Sequence, residues 1–167
     1  LHESLPYITN PQIRNRGTVG GNIAHADPAA ELPVVALATD SRFRVQSTNG
    51  SRWINSDDFF RGYFETAIEP NEILVELEVP FHVTNTGWAF LEVSRRSGDY
   101  AMAGIAALIT LDSNHICRKA RLVYLNLSDA PLEAKQSADL LIGEMLSDEL
   151  ITQVANKASE EEIMPME

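Results

Sequence analysis

The chain has 167 residues, of which 44% are hydrophobic and 22% charged, and its formal net charge is -11. This length and composition fit one globular domain or two small ones and argue against intrinsic disorder. The longest apolar run, residues 101–111, is too short to span a bilayer, which takes roughly 20 residues. The single cysteine, Cys117, cannot form an internal disulfide, so we expect a reducing, cytoplasmic location without membrane insertion.

The negative charge is confined to the second half of the chain. Residues 1–61 contain six Arg and six acidic residues, whereas residues 62–167 contain 7 basic and 18 acidic ones. Nucleic-acid binding usually requires a continuous basic surface. The charge distribution therefore excludes nucleic acid as an expected partner.

The first half predicts a short, loop-rich α/β unit. Pro28 and Pro33 cannot share one helix interior, so we expect a turn at residues 27–30 and a helix from about Pro33 to Thr39. Alternating residues from position 42 and the turn signal Asn49-Gly50 predict a β-hairpin. A short helical turn follows at residues 57–60. Residues 72–79 then predict a strand with its odd-numbered, apolar positions on one face and a largely acidic face opposite.

The polar stretch 81–86 predicts a boundary, which divides the chain into domains 1–82 and 83–167. Strands are expected at residues 88–93, 103–111 and 116–125, and they would form a three-stranded antiparallel sheet. One helix would begin at Pro131, and Ser147 would cap a second. The expected buried stripes of the two helices are Ala134, Ala138, Leu141 and Met145, and Leu150, Ile151, Val154 and Ala158. The predicted fold class is α+β.

The most informative segment is RNRGTVGGNIAHADPAAELP, which contains three glycines within five positions, residues 17–21. Glycines lack the Cβ atoms that block close approach to the backbone, so their amides can turn toward one anion. Thr18 and Asn22 add side-chain donors. This pattern predicts a phosphate-binding cradle, although an ordinary glycine-rich turn explains the same letters, and the spacing fits neither common nucleotide-binding motif.

The same segment resembles the second flavin-contacting segment in the FAD-binding medium subunit of the molybdenum-containing hydroxylases. That family includes xanthine dehydrogenase and aerobic carbon monoxide dehydrogenase. Two further stretches are similar to it in the same order, DDFFRGYFETAIEPNEILVELEVP and FLEVSRRSGDYAMAG. The resemblance implies the C-terminal part of a two-subdomain FAD-binding domain, followed by the family's C-terminal flavoprotein domain. It also implies that an earlier flavin loop, which the chain lacks, lies upstream of Leu1.

The resemblance assigns cofactor contacts residue by residue. It implies that Thr18, Val19, Gly20, Gly21 and Asn22 wrap the FAD pyrophosphate, in agreement with the cradle argument.

Four further contacts are implied by the resemblance alone. Glu31 would bond polar groups of FAD such as the ribityl hydroxyls, and Leu74 would pack on the flavin. Asp99 and Tyr100 would lie over the isoalloxazine ring. The adjacent Arg95 and Arg96 are predicted to form interdomain ion pairs, with an anion-attracting rim as the alternative. No catalytic acid–base residue and no metal ligand is predicted.

The resemblance implies an oxidoreductase component that passes electrons through FAD to an acceptor. The molybdenum cofactor and the 2Fe-2S clusters would belong to partner subunits, because one cysteine cannot hold a cluster. The alternative is a flavin-free structural or assembly module, whose exposed apolar faces would be covered by self-association or by another chain. As a fragment, the chain could be inactive by itself.

Overall fold

The computed structural model describes residues 1–8, 10–96 and 98–162. It shows a three-stranded and a four-stranded antiparallel sheet on either side of one buried helix, with a separate two-stranded sheet within residues 60–66. The helices are α1 (Pro11–Arg14), α2 (Val19–His25), α3 (Glu31–Ala38), α4 (Ser56–Phe59), α5 (Lys135–Asp139) and α6 (Asp148–Lys157), followed by a π-helical turn at Ala158–Glu162. The strands are β1 (Arg42–Ser47), β2 (Gly50–Asn55), β3 (Phe60–Gly62), β4 (Glu65–Thr66), β5 (Ile73–Glu78), β6 (Thr86–Ser94), β7 (Ala101–Leu111), β8 (Cys117–Leu125) and β9 (Leu132–Glu133).

Helix α3 forms the centre of the molecule, and all eight of its residues are buried. Leu32 and Ala36 pack against the sheet β2-β1-β5. Val34, Val35 and neighbouring residues pack against the sheet β6-β7-β8-β9. A helix that is buried all round must be apolar all round, which the sequence ELPVVALA satisfies except at Glu31.

The start of α3 differs from the sequence prediction. The turn at residues 27–30 is present, with the Ala30 amide donating to the Asp27 carbonyl at 3.0 Å. The helix, however, begins at Glu31 rather than near Pro33. Pro33 is tolerated in the first turn because amides there have no intrahelical acceptor to lose.

The three-stranded sheet confirms the hairpin and corrects the predicted face of β5. The hairpin turn residues are Thr48 and Asn49, because Ser47 pairs with Gly50. The register of β1 against β5 shifts between Arg44 and Val45. This irregularity turns Leu74 and Leu77 toward the core, whereas Ile73 and Val75 are 67% and 40% exposed. The expected inward positions are therefore wrong at Ile73 and Val75 and confirmed at Leu77.

The four-stranded sheet contains the three predicted strands and adds the two-residue strand β9. The face opposite α3 is covered by α5 and α6 through residues including Leu122, Ala138 and Val154, with Cys117 fully buried among them.

The helix predicted from Pro131 is wrong in its start and length, because β9 precedes α5 and Gly143 adopts a positive φ of 87° beyond it. Met145 is 61% exposed as a result, and Ile151 is also exposed, at 51%. Ser147 does cap α6, accepting from the Leu150 amide at 3.2 Å. Residues 163–167 of the second predicted domain lie outside the described part.

A buried arginine joins the two halves of the molecule. Arg121 of β8 is 8% exposed and its guanidinium contacts three carboxylates. It donates to Asp57 at 3.0 Å and to Glu133 at 2.9 Å, and it forms an ion pair with Asp40, which also contacts Lys119. Asp40 and Asp57 belong to the first half of the chain, so Arg121 fixes the position of β8 relative to α3 and α4.

Candidate flavin-binding site

The glycine-rich segment forms the first turn of α2. Thr18 caps this helix, and its Oγ1 accepts from the Gly21 amide at 3.0 Å. Its carbonyl accepts from the Asn22 amide at 3.0 Å. Within the described residues the amides of Val19 and Gly20 make no hydrogen bond. Of the four amides at residues 19–22, those of Val19 and Gly20 are therefore open to an anion, and those of Gly21 and Asn22 are bonded to Thr18.

The two central glycines, Gly20 and Gly21, differ in the space that surrounds them. A Cβ on Gly21 would lie 2.8 Å from Thr18 Oγ1, so any side chain there displaces the cap. A Cβ on Gly20 would meet no atom within 4 Å. The space above Gly20 is open to a ligand, and a side chain at this position would enter it.

Two adjoining cavities meet beside α2. The first has a volume of about 540 Å³ and includes Thr18, Val19 and Asn22 in its lining. The second has a volume of about 630 Å³ and includes Asn22, Glu31, Asp99 and Tyr100. Ile8, Ile13 and Asn22 line both. Asn22 Oδ1 is buried and has no hydrogen-bond partner among the described residues, so it is an acceptor without a donor where the cavities meet.

The structure brings together most of the predicted site residues. Six of them line the paired cavities, and Gly20 and Gly21 are exposed on the same turn of α2. Tyr100 is 77% exposed at the rim of the larger cavity, where an aromatic ring can lie over a ligand. Leu74 lies in neither cavity lining and packs with the core around Phe43 and Phe59.

The larger cavity contains a buried acidic group. Glu31 is 7% exposed, and its pKa is raised to about 7, chiefly by burial and to a smaller extent by the carboxylates of Glu92 and Asp27, against the lowering effect of a backbone hydrogen bond. Burial also raises the pKa of Glu92, whose Oε2 is enclosed without a partner among the described residues. A carboxyl group that is neutral near pH 7 can donate a hydrogen bond as well as accept one.

Asn126 holds the two halves of the cavity wall together. It has a left-handed backbone with a φ of 56°. Its amide donates to the Pro28 carbonyl at 2.9 Å, and its side-chain Nδ2 donates to the Ala101 carbonyl at 2.6 Å. One residue at the end of β8 thus fixes both the turn before α3 and the start of β7.

Two lining residues, His25 and Asn126, were not predicted as site residues. Arg95, for which an anion-attracting rim was the alternative prediction, also lines the larger cavity. Phe64 packs on the His25 ring at 4.9 Å between centroids. Arg95 and Arg96 form no ion pair with any described residue, contrary to the expected interdomain pairs. The signal for Arg95 was its place just before Gly98 and Asp99, whereas nothing local distinguishes Asn126.

Comparison with protein families accounts for nearly the whole chain. Residues 1–82 match the family described as "FAD binding domain in molybdopterin dehydrogenase". Residues 88–166 match the family described as "CO dehydrogenase flavoprotein C-terminal domain". No helix among the described residues has the length and apolar character needed to cross a membrane.

Individual relatives agree with these matches. The chain is 42% identical over 158 residues to the 6-hydroxypseudooxynicotine dehydrogenase complex subunit alpha of Paenarthrobacter nicotinovorans. This match covers 95% of this chain and 53% of the relative. It is 34% identical to the carbon monoxide dehydrogenase medium chain of Hydrogenophaga pseudoflava, covering 95% and 55%. The chain therefore spans about half the length of these curated relatives.

The fold agrees as well. A solved carbon monoxide dehydrogenase from Hydrogenophaga pseudoflava superimposes with a TM-score of 0.90 at 34% identity, covering 99% of this chain and 60% of the other. Quinoline 2-oxidoreductase from Pseudomonas putida 86 gives a TM-score of 0.88 at 30% identity, covering 98% and 56%. The chain belongs to the family of FAD-binding medium subunits of the molybdenum hydroxylases.

Proposed function

We propose that this chain is part of an FAD-binding electron-transfer subunit, an oxidoreductase component of a molybdenum hydroxylase. The observation that carries the proposal is the pair of adjoining cavities beside α2. They place the open amides of Val19 and Gly20 next to the first cavity and Glu31, Asp99 and Tyr100 in the second. An elongated dinucleotide needs such a divided site, with an anion-binding part and a part for the ring system.

The residues present fit FAD. The open amides and the space above Gly20 suit the diphosphate, and Asn22 Oδ1 and Glu31 suit donor groups of the ribityl chain and ring. Tyr100 would stack on the ring, and Asp99 would help to close the cavity. FAD would supply the redox chemistry, while these residues bind, orient and shield it from water.

The remaining redox centres would belong to partner subunits. Cys117 is buried and is the single cysteine, so the chain cannot hold an iron–sulfur cluster, and we place the molybdenum cofactor and 2Fe-2S clusters on other chains. Strand β6 lies at the edge of its sheet and exposes Leu91 at 63% and Val93 at 65% on one face. Such an apolar surface supports contact with partner subunits. A single buried thiol also suits a cytoplasmic location.

Titration of the chain with FAD tests the proposal. We expect flavin fluorescence to be quenched on binding, and bound oxidised flavin to be bleached by dithionite. Gly20→Asp should abolish uptake because it places a carboxylate among the open amides, while Ser113→Asp in the exposed β7–β8 turn adds the same charge as a control. Folded, colourless protein that takes up no FAD at high micromolar concentration would instead support the flavin-free assembly module.

A further inference from the structure

The connection between β6 and β7 places an arginine in the wall of the larger cavity. Ser94 and Ala101 pair at the two ends of this connection, which fixes it to the four-stranded sheet. The carbonyl of Arg96 accepts from Ser94 Oγ at 3.0 Å and from the Asp99 amide at 3.1 Å. Arg95 lies within this hydrogen-bonded segment and lines the cavity together with Asp99. The fold therefore holds Arg95 beside the part of the cavity proposed for the flavin ring.

Arg95 has no carboxylate partner, although the second half of the chain is strongly acidic. Residues 62–167 contain 7 basic and 18 acidic residues. The basic residues that form ion pairs there are Arg118, Lys119, Arg121 and Lys135. The side chains of Arg95 and Arg96 form no ion pair within residues 1–8, 10–96 and 98–162. Because a guanidinium is always charged, Arg95 keeps a positive charge at the cavity that no contact compensates.

The other charged or titratable groups of the cavity wall are mostly acidic. They are His25, Asp27, Glu31 and Asp99. An imidazole is a cation only when it is protonated, so Arg95 is the permanent cation among the described lining residues. A round cavity of about 630 Å³ would be about 11 Å across, and at this separation Coulomb's law with an effective dielectric constant of about 20 changes an equilibrium constant about tenfold for two unit charges.

We propose that Arg95 stabilises the negative charge of the reduced flavin ring and thereby raises the reduction potential of bound FAD. This inference rests on the proposed function. Two electrons from a redox centre of a partner subunit and one proton from water convert oxidised FAD to a reduced form whose ring carries one negative charge at neutral pH. The diphosphate keeps its charge in both forms, so Arg95 attracts it equally before and after reduction. The charge of Arg95 therefore favours the reduced form over the oxidised one.

The ratio of two dissociation constants tests the inference. Anaerobic calorimetric titration gives the constant for oxidised FAD and, after reduction of the FAD with dithionite, the constant for reduced FAD. In Arg95→Gln we expect the ratio of the oxidised to the reduced constant to fall about tenfold, which lowers the reduction potential of bound FAD by about 30 mV. Each protein supplies both constants, so a loss of affinity that is common to the two forms cancels in the ratio.

Two further variants separate charge from shape and position. Arg95→Lys keeps the positive charge and should keep the ratio of the unsubstituted chain. Arg96→Gln removes the same charge from an adjacent residue that is not among the described lining residues, and it should lower the ratio much less. Arg95 is exposed and makes no ion pair with a described residue, so we expect all three variants to melt at the temperature of the unsubstituted chain.

The possible results distinguish this inference from the proposed function. An unchanged ratio in Arg95→Gln would overturn the inference while FAD binding still supports the proposed function. A fall of the same size in Arg95→Lys or in Arg96→Gln would also overturn it, because neither the charge nor the position of Arg95 would then matter. If the unsubstituted chain binds neither form of FAD, the proposed function fails and the inference fails with it.

Discussion

Glycines in two regions of this chain have opposite structural roles. In α2, Gly20 faces open space, and every residue from position 11 to 21 is exposed. In β7, a Cβ on Gly104 would lie 2.2 Å from Leu125 Cδ2 and 3.0 Å from the Leu91 carbonyl. The space that a side chain would take is thus occupied by neighbouring residues at Gly104 and left free at Gly20. Free volume at a glycine, rather than glycine itself, indicates where a ligand enters.

The largest loss of stability should come from adding a side chain at Gly104, where no space is free. Gly104→Ala forces Leu125 or the β6–β7 ladder to move, and we expect a loss of about 3 kcal/mol in the free energy of unfolding. Gly87→Ala in β6 is the matched control, because its Cβ would approach the Ile109 carbonyl at 4.0 Å, an ordinary contact. Urea unfolding of both variants measures the difference. Equal effects would show that the two strand glycines are packed alike.

The next largest loss of stability should come from the contact between the two halves of the chain at Arg121. Arg121→Met leaves Asp40, Asp57 and Glu133 without their buried cation, and we expect a loss of about 2 kcal/mol. Arg118→Met breaks a pair with Asp112 in which the arginine side chain is 61% exposed, so its effect should be much smaller. Chemical denaturation distinguishes them. A comparable loss for both would mean that burial of Arg121 adds nothing.

The smallest stability effect has the opposite sign. Gly20→Ala reduces the conformational freedom of the unfolded chain and meets no atom within 4 Å, so we expect a gain of about 0.5–1 kcal/mol. The same methyl group occupies the space proposed for the diphosphate, and FAD affinity should fall while stability rises. A variant that is more stable and binds FAD unchanged would move the diphosphate away from Gly20.

Local sequence patterns predicted the helices and strands better than they predicted which residues of each face the core. The alternation from Arg42 and the Asn49-Gly50 signal were enough for the hairpin, because both are local. The inward positions predicted at Ile73 and Val75 of β5 were wrong because the irregularity opposite Arg44 and Val45 depends on pairing between distant segments. Met145 was assigned to a helix because the pattern does not show that the chain turns at Gly143.

Only part of the candidate site could be predicted from the sequence. Thr18 and Asn22 belong to one continuous motif, so sequence alone could propose them together. Glu92 could not be proposed, because a glutamate between Leu91 and Val93 in a strand is typical of a solvent-facing position. Its Oε2 is nevertheless enclosed, which depends on the tertiary fold and which no local pattern encodes.

The thiol of Cys117 can report how often the four-stranded sheet separates from α5 and α6. Cys117 is fully enclosed and burial raises its pKa, so a thiol-modifying reagent can react with it only after α5 and α6 leave the sheet. The labelling rate under native conditions therefore reports the opening of this layer without any introduced probe. Because α3 lies on the other face of the sheet, FAD that slowed labelling would show that the two faces open as one cooperative unit.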